Sequence, residues 1–150
     1  MAILKSADNG VQRFDNESKD CTVRALANAA GMPYKLAHKI MEKQGRQPNR
    51  GLYFEPLHQA YIRMGFKLMG VYGRTNGSRY IAGSLNVEPK QGTTLGKILM
   101  ELQNGRYIVK IRGHVLAVVD GKILDYGNNS AGSRVAAVYK LEQQAVIFDK

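Results

Sequence analysis

The chain has 150 residues, 44% of them hydrophobic and 23% charged, which fits one globular domain over 1–150 large enough to bury most of its apolar surface. Its longest apolar runs, such as Val115–Val119, fall far short of the roughly twenty residues a membrane-spanning helix needs, and Met1–Ser6 lacks the apolar core of a secretory signal. A single cysteine excludes an intramolecular disulfide and makes a four-ligand zinc site or an iron–sulfur cluster implausible, so a reducing cytoplasm is the expected setting and no cofactor is expected.

With 22 Lys and Arg against 12 Asp and Glu, the formal net charge is +10. The basic residues are dispersed, and no block of five or more like charges occurs. Their densest stretch is Lys35–Arg50, where Lys35, Lys39 and Lys43 recur at four-residue steps and would form one stripe on a helix. A solvated helix face explains that pattern; weak contact with nucleic acid or an acidic protein is the sharper alternative.

In chain order, residues 1–19 are polar and without a strong period, and read as an extended lead-in with a short strand at Val11–Phe14. A first helix is expected from about Asp20 to Ala30, with Asp20 as N-cap and Gly31 followed by Pro33 as the stop. Pro33 then opens a second helix, about Tyr34 to Gln44, with Leu36, Ala37, Ile40 and Met41 on its apolar stripe and Gly45 at its end. A third, about Phe54 to Met64, carries Leu57, Tyr61 and Met64 inward, tolerates Pro56 in its first turn and stops at Gly65. Phe66–Tyr72 reads as a strand, Gly73–Ser78 as a turn-rich break, and Tyr80–Gly92 carries no clear period. Thr93 or Thr94 caps a short helix ending near Gln103, with Ile98, Leu99 and Leu102 inward. Strands follow at Tyr107–Ile111, His114–Val119 and Lys122–Tyr126; after a Gly127–Ser133 loop come Arg134–Leu141 and Ala145–Phe148. The layout is α+β, with N-terminal helices packed on a C-terminal antiparallel sheet.

Chemistry concentrates at three of these places. Cys21 stands at the start of the first helix, where unpaired backbone N–H groups and the helix dipole favour thiolate, the reactive form. Asp120-Gly121 lies between two apolar runs, a strong hairpin signal. If these two residues form the loop, Val119 pairs with Lys122 and Leu116 lies opposite Asp125. His114 and Asp125 then share a face as diagonal neighbours, with Cβ atoms about 7–8 Å apart or less. A one-residue slip would separate them. Asp120 has a sufficient role in the turn; Asn128 has the wrong parity, and Asn129 has the right parity but lies beyond a glycine. Asp125 is therefore the preferred partner for His114. Structural readings compete: a lone cysteine is commonly a small buried hydrophobe, packing here beside Ala25 and Leu26 with Thr22 more exposed. His58 has no carboxylate or second histidine at i+3 or i+4 and His38 has only Glu42 at i+4, so no metal site is expected, and Gly73–Ser78 lacks the Gly-Lys-Ser/Thr ending of a phosphate-binding loop.

The Asp20-Cys21 helix start, the Gly113-His114 strand start and the carboxylate on the next strand resemble papain-like cysteine peptidases. The nearest likeness is to small phage-encoded proteins with an Asp-Cys-Thr-Val-Arg-Ala-Leu-Ala helix. Ubiquitin-processing thiol peptidases and transglutaminase-like enzymes share the order of residues. The resemblance covers roughly residues 16–126. It implies a papain-like fold with Cys21 as nucleophile, His114 as base and then acid, and Asp125 orienting the imidazole. It implies cleavage of peptide or isopeptide bonds in a protein or peptide substrate, or acyl transfer, in a cytoplasm that would be the host's if the chain is phage-encoded. The oxyanion would meet the Cys21 backbone N–H and an upstream side chain. Papain-like enzymes carry Gln six positions before the cysteine; that position is Asp15 here, and Asn16 is the nearer amide donor. The alternative is a catalytically inactive module of the same fold that binds nucleic acid or an acidic host protein.

Overall fold

The computed structural model describes residues 3–4, 19–47, 51, 53–73, 76–125, 127 and 129–142. In chain order these form β1 (Ile3–Leu4), α1 (Cys21–Ala30), α2 (Tyr34–Lys43), α3 (Phe54–Arg63), β2 (Phe66–Val71), α4 (Asn76–Leu85), α5 (Leu95–Leu99), β3 (Arg106–Ile111), β4 (His114–Val119), β5 (Lys122–Leu124), β6 (Asn129–Ser130) and β7 (Val135–Leu141). The expected strands at Val11–Phe14 and Ala145–Phe148 lie outside the described residues.

The architecture is α+β around an antiparallel sheet of order β2-β7-β3-β4-β5, with β1 and β6 forming a separate antiparallel pair. Helices cover both faces of the main sheet. On one, Val23, Leu26 and Ala30 of α1, Met41 of α2 and Tyr61 of α3 pack with Ile108, Val115, Ala117, Ala137 and Tyr139. On the other, Leu95, Ile98 and Leu102 pack with Tyr107, Val109, Leu116, Val118 and Ile123. Burial on both sides is why β3 and β4 are apolar runs rather than alternating strands.

α1 is the central element: every residue from Thr22 to Ala30 is buried, and its main sheet neighbour is β4. Its C-terminus is closed twice. Gly31, at φ +73°, turns the chain so that its own N–H and that of Met32 reach the Ala27 carbonyl. The Arg106 guanidinium then donates to the carbonyls of Asn28 and Ala29 at 3.2 and 3.3 Å, setting a cation at the negative end of the dipole.

The N-terminus departs from expectation. Asp20 makes no side-chain cap bond; its carboxylate is buried and accepts the Tyr34 hydroxyl at 2.8 Å, tying the entrance of α1 to the first residue of α2. Pro33, extended at φ −61° and ψ 146°, precedes α2, which ends at Lys43, one residue short of the expected end. Its lysines 35, 39 and 43 are all exposed, as a solvated stripe requires.

Two further differences concern the middle of the chain. α4 begins at Asn76, inside the expected break, and spans part of the stretch without a clear period. Gly77 and Gly83 depress its intrinsic helicity. What holds it is tertiary, since Ile81 and Ala82 pack on Val71 and Ala136 of the sheet. α5 is shorter than expected. Thr94 Oγ1 accepts the Lys97 N–H at 3.4 Å, but beyond Leu99 the N–H groups of Met100, Glu101 and Leu102 bond three residues back, so the segment tightens out of α geometry.

The β4–β5 hairpin has the expected register: Val119 opposite Lys122, Val118 opposite Ile123, Ala117 opposite Leu124. Asp120 and Gly121 sit at φ +50° and +81°, the paired positive values of a type I′ turn. Asp120 also ties this turn to the preceding loop, its N–H donating to the Gly105 carbonyl and its Oδ1 accepting the Gly105 N–H.

Candidate active site

Three side chains from three elements converge. Cys21 opens α1, His114 opens β4, and Asp125 follows the last residue of β5. The imidazole Nε2 lies 2.8 Å from Asp125 Oδ2, and the same histidine is near enough to the Cys21 thiol to lower its pKa. With Nε2 committed to the carboxylate, Nδ1 is the nitrogen left for the thiol. The Val115 backbone N–H acts on the thiol in the same direction.

Strand parity alone does not bring these groups together. His114 is cross-strand from Ile111 and shares parity with Leu116, on the face away from α1. The contact is made at the strand ends: His114 is the first residue of β4, and β5 stops before Asp125. Gly113, at φ +68°, turns the chain immediately before His114, with nothing within 4 Å of where a Cβ would lie. The imidazole therefore reaches across the end of the sheet to the start of the helix.

Exposure follows a pattern suited to chemistry. The Asp125 side chain is 8% exposed, whereas that of His114 is 31% exposed. Cys21 is half-buried, and Thr22 beside it is buried, the reverse of the purely structural expectation. Burial is the largest influence on the thiol and opposes its ionisation. The His114 hydrogen bond, the Val115 N–H and the nearby imidazolium charge outweigh it, and the thiol titrates below its ordinary value. For His114, burial again acts against the charged form. The bonds to Asp125 and Cys21 overcome it and push the imidazole up to about 10. Both shifts act in the direction of a thiolate–imidazolium pair.

The neighbourhood contains groups that spacing alone did not single out. Lys110 lies directly across from Val115; burial lowers its pKa, and the Cys21 charge partly restores it. Tyr61 is fully buried and donates to the Thr22 carbonyl at 3.3 Å, and burial beside the thiol holds its phenol far above the usual range. Asn129 Nδ2 donates to Asp125 Oδ2 at 2.9 Å. β6, which carries Asn129, falls where a plain loop was expected.

His58 and His38 stand apart from this cluster. His58 Nδ1 is 2.7 Å from the Tyr139 hydroxyl, and burial lowers its pKa. His38 packs against the Tyr34 ring with centroids 5.8 Å apart. Asn16 lies outside the described residues. In the first turn of α1, the N–H groups of Cys21, Thr22 and Val23 have no intrahelical acceptor, as at the start of any α-helix. Among the described residues, no group of three or more His, Cys, Asp or Glu side chains could hold a metal ion, and no helix is long and apolar enough to cross a membrane. The arrangement is therefore a thiol of lowered pKa at a helix N-terminus, beside an imidazole held by a buried carboxylate. No family model, curated protein or solved structure matches the chain.

Proposed function

We propose that the protein is a thiol-dependent acyl-transfer enzyme of papain-like type, a cysteine peptidase acting on peptide or isopeptide bonds through Cys21, His114 and Asp125. The observation that carries this reading is the His114–Asp125 hydrogen bond, 2.8 Å long and closed by a buried carboxylate, beside a thiol whose ionisation His114 favours. A structural cysteine has no need of a histidine whose far nitrogen is held by a buried carboxylate.

In the proposed reaction, the Cys21 thiolate attacks the substrate carbonyl carbon, and the carbonyl π pair moves to oxygen. The oxyanion is met by the Cys21 N–H and an upstream amide, the role assigned to Asn16. As the tetrahedral intermediate collapses, the C–N bond breaks and the His114 imidazolium gives its proton to the leaving amine. Neutral His114 then removes a proton from water, the resulting hydroxide adds to the thioester, and the carboxylic acid and thiolate separate. An amine in place of water gives transfer rather than hydrolysis. Asp125 keeps Nε2 protonated throughout and stabilises the imidazolium.

A panel of electrophilic peptide and ubiquitin-type probes on wild type, Cys21→Ala and His114→Ala tests the reading. Labelling is expected on wild type, absent from Cys21→Ala and strongly reduced in His114→Ala. Undiminished labelling of His114→Ala would remove the dyad.

A second reading rests on the exposed stripe of Lys35, Lys39 and Lys43. It makes the chain a binding module for nucleic acid or an acidic protein. Binding to random DNA that weakens steeply with salt supports it, and a flat salt response removes it.

A further inference from the structure

Asp125 Oδ2 accepts hydrogen bonds from His114 Nε2 at 2.8 Å and from Asn129 Nδ2 at 2.9 Å. An ionised carboxylate only accepts, so Asn129 must present its amide N–H₂ to it. Two donors from different segments thus locate one oxygen of a carboxylate whose side chain is 8% exposed. Asn129 is itself anchored from outside the main sheet. It lies in β6, where it is cross-strand from Leu4 of β1, with Ser130 opposite Ile3. The triad carboxylate is therefore braced on one side by the imidazole and on the other by an amide held in a separate strand pair.

We propose that Asn129 is a positioning residue for the thiol site: it fixes the rotation of the Asp125 carboxylate, and through it the imidazolium that stabilises the Cys21 thiolate. This rests on the acyl-transfer reading above. Without the amide, the carboxylate turns about its χ2 and its bond to Nε2 lengthens. The imidazolium loses support, and the thiol regains its proton at higher pH. Among the described residues, the other titratable groups electrostatically coupled to the sulfur are Lys110 on β3 and Tyr61 on α3.

The test is the pH dependence of Cys21 alkylation by iodoacetamide in wild type, Asn129→Ala and Asn129→Gln, with thermal melting as the folding control. In Asn129→Ala, the pH of half-maximal reactivity is expected to rise by about half a unit, which lowers the rate constant on the acid side about threefold. Asn129→Gln, which retains an amide donor on a longer stem, should recover part of that loss. An unmoved midpoint in a folded Asn129→Ala overturns the proposal. A wild-type midpoint already at the free-thiol value of about 8.5 would instead overturn the thiolate reading itself. A measurement on the wild-type protein stands independently of variant folding. The Asn129 side-chain ¹⁵N resonance should titrate with the His114 ring, and a flat trace where the ring titrates would contradict the proposed coupling.

Discussion

The His114 imidazole is held at Nε2 by the buried Asp125 carboxylate at 2.8 Å, and Asp20 is held just as specifically. A good N-cap residue type was available, yet its carboxylate bonds the Tyr34 hydroxyl fourteen positions on, a tertiary partner that no local rule contains. The exposure of Cys21 relative to Thr22 was equally out of reach, since it depends on how α1 lies against β4. The raised His114 pKa carries a prediction at this scale. In a Cys21→Ser background, which removes the thiolate, the His114–Asp125 bond still holds the imidazole above its unfolded value of about 6.5. With Asp125 ionised, its stabilisation is then fully present below that pH and is lost as pH rises through the folded value, which lies below the about 10 of wild type because one of two supports is gone. The difference in urea midpoint between Cys21→Ser and Cys21→Ser/His114→Gln should accordingly be largest near pH 6 and close on raising the pH. A constant difference from pH 6 to 10 would contradict it.

The helices differ in how much of them was legible, and the reason is what stabilises each. α2 and α3 have an apolar stripe, a proline at or near the start and a glycine after the end, so local signals agree with packing. α4 has two glycines and only Ile81, Ala82 and Leu85 to bury, and its helicity is imposed by the sheet it covers. α1 was legible as a helix, but its attachment was not, because Arg106 caps it from 75 residues or more away. Arg106→Met keeps much of the aliphatic packing while removing two charge-assisted bonds and the cation at the dipole's negative end. It should destabilise the fold by about 1–3 kcal/mol, read as a lower urea midpoint. A midpoint within error of wild type would mean that the guanidinium contributes nothing to holding α1.

For the molecule as a whole, α+β composition and the antiparallel sheet were readable from the run of helical patterns followed by strand patterns. The covering of both sheet faces was not, because a short apolar run reads the same whether one or both of its faces are buried. The site owes its existence to that architecture: α1 is buried along its length and runs beside β4, so its first residue meets the first residue of β4 at the end of the sheet. The thiol thereby sits at a helix N-terminus beside the His114–Asp125 pair. The direct measure of that convergence is the ionisation of the sulfur. Iodoacetamide alkylation of the wild-type protein, followed as a function of pH, should show a half-maximal rate below the free-thiol value of about 8.5, and this midpoint should rise in His114→Ala. A midpoint at or above 8.5 in wild type, unchanged by removing His114, would contradict the account.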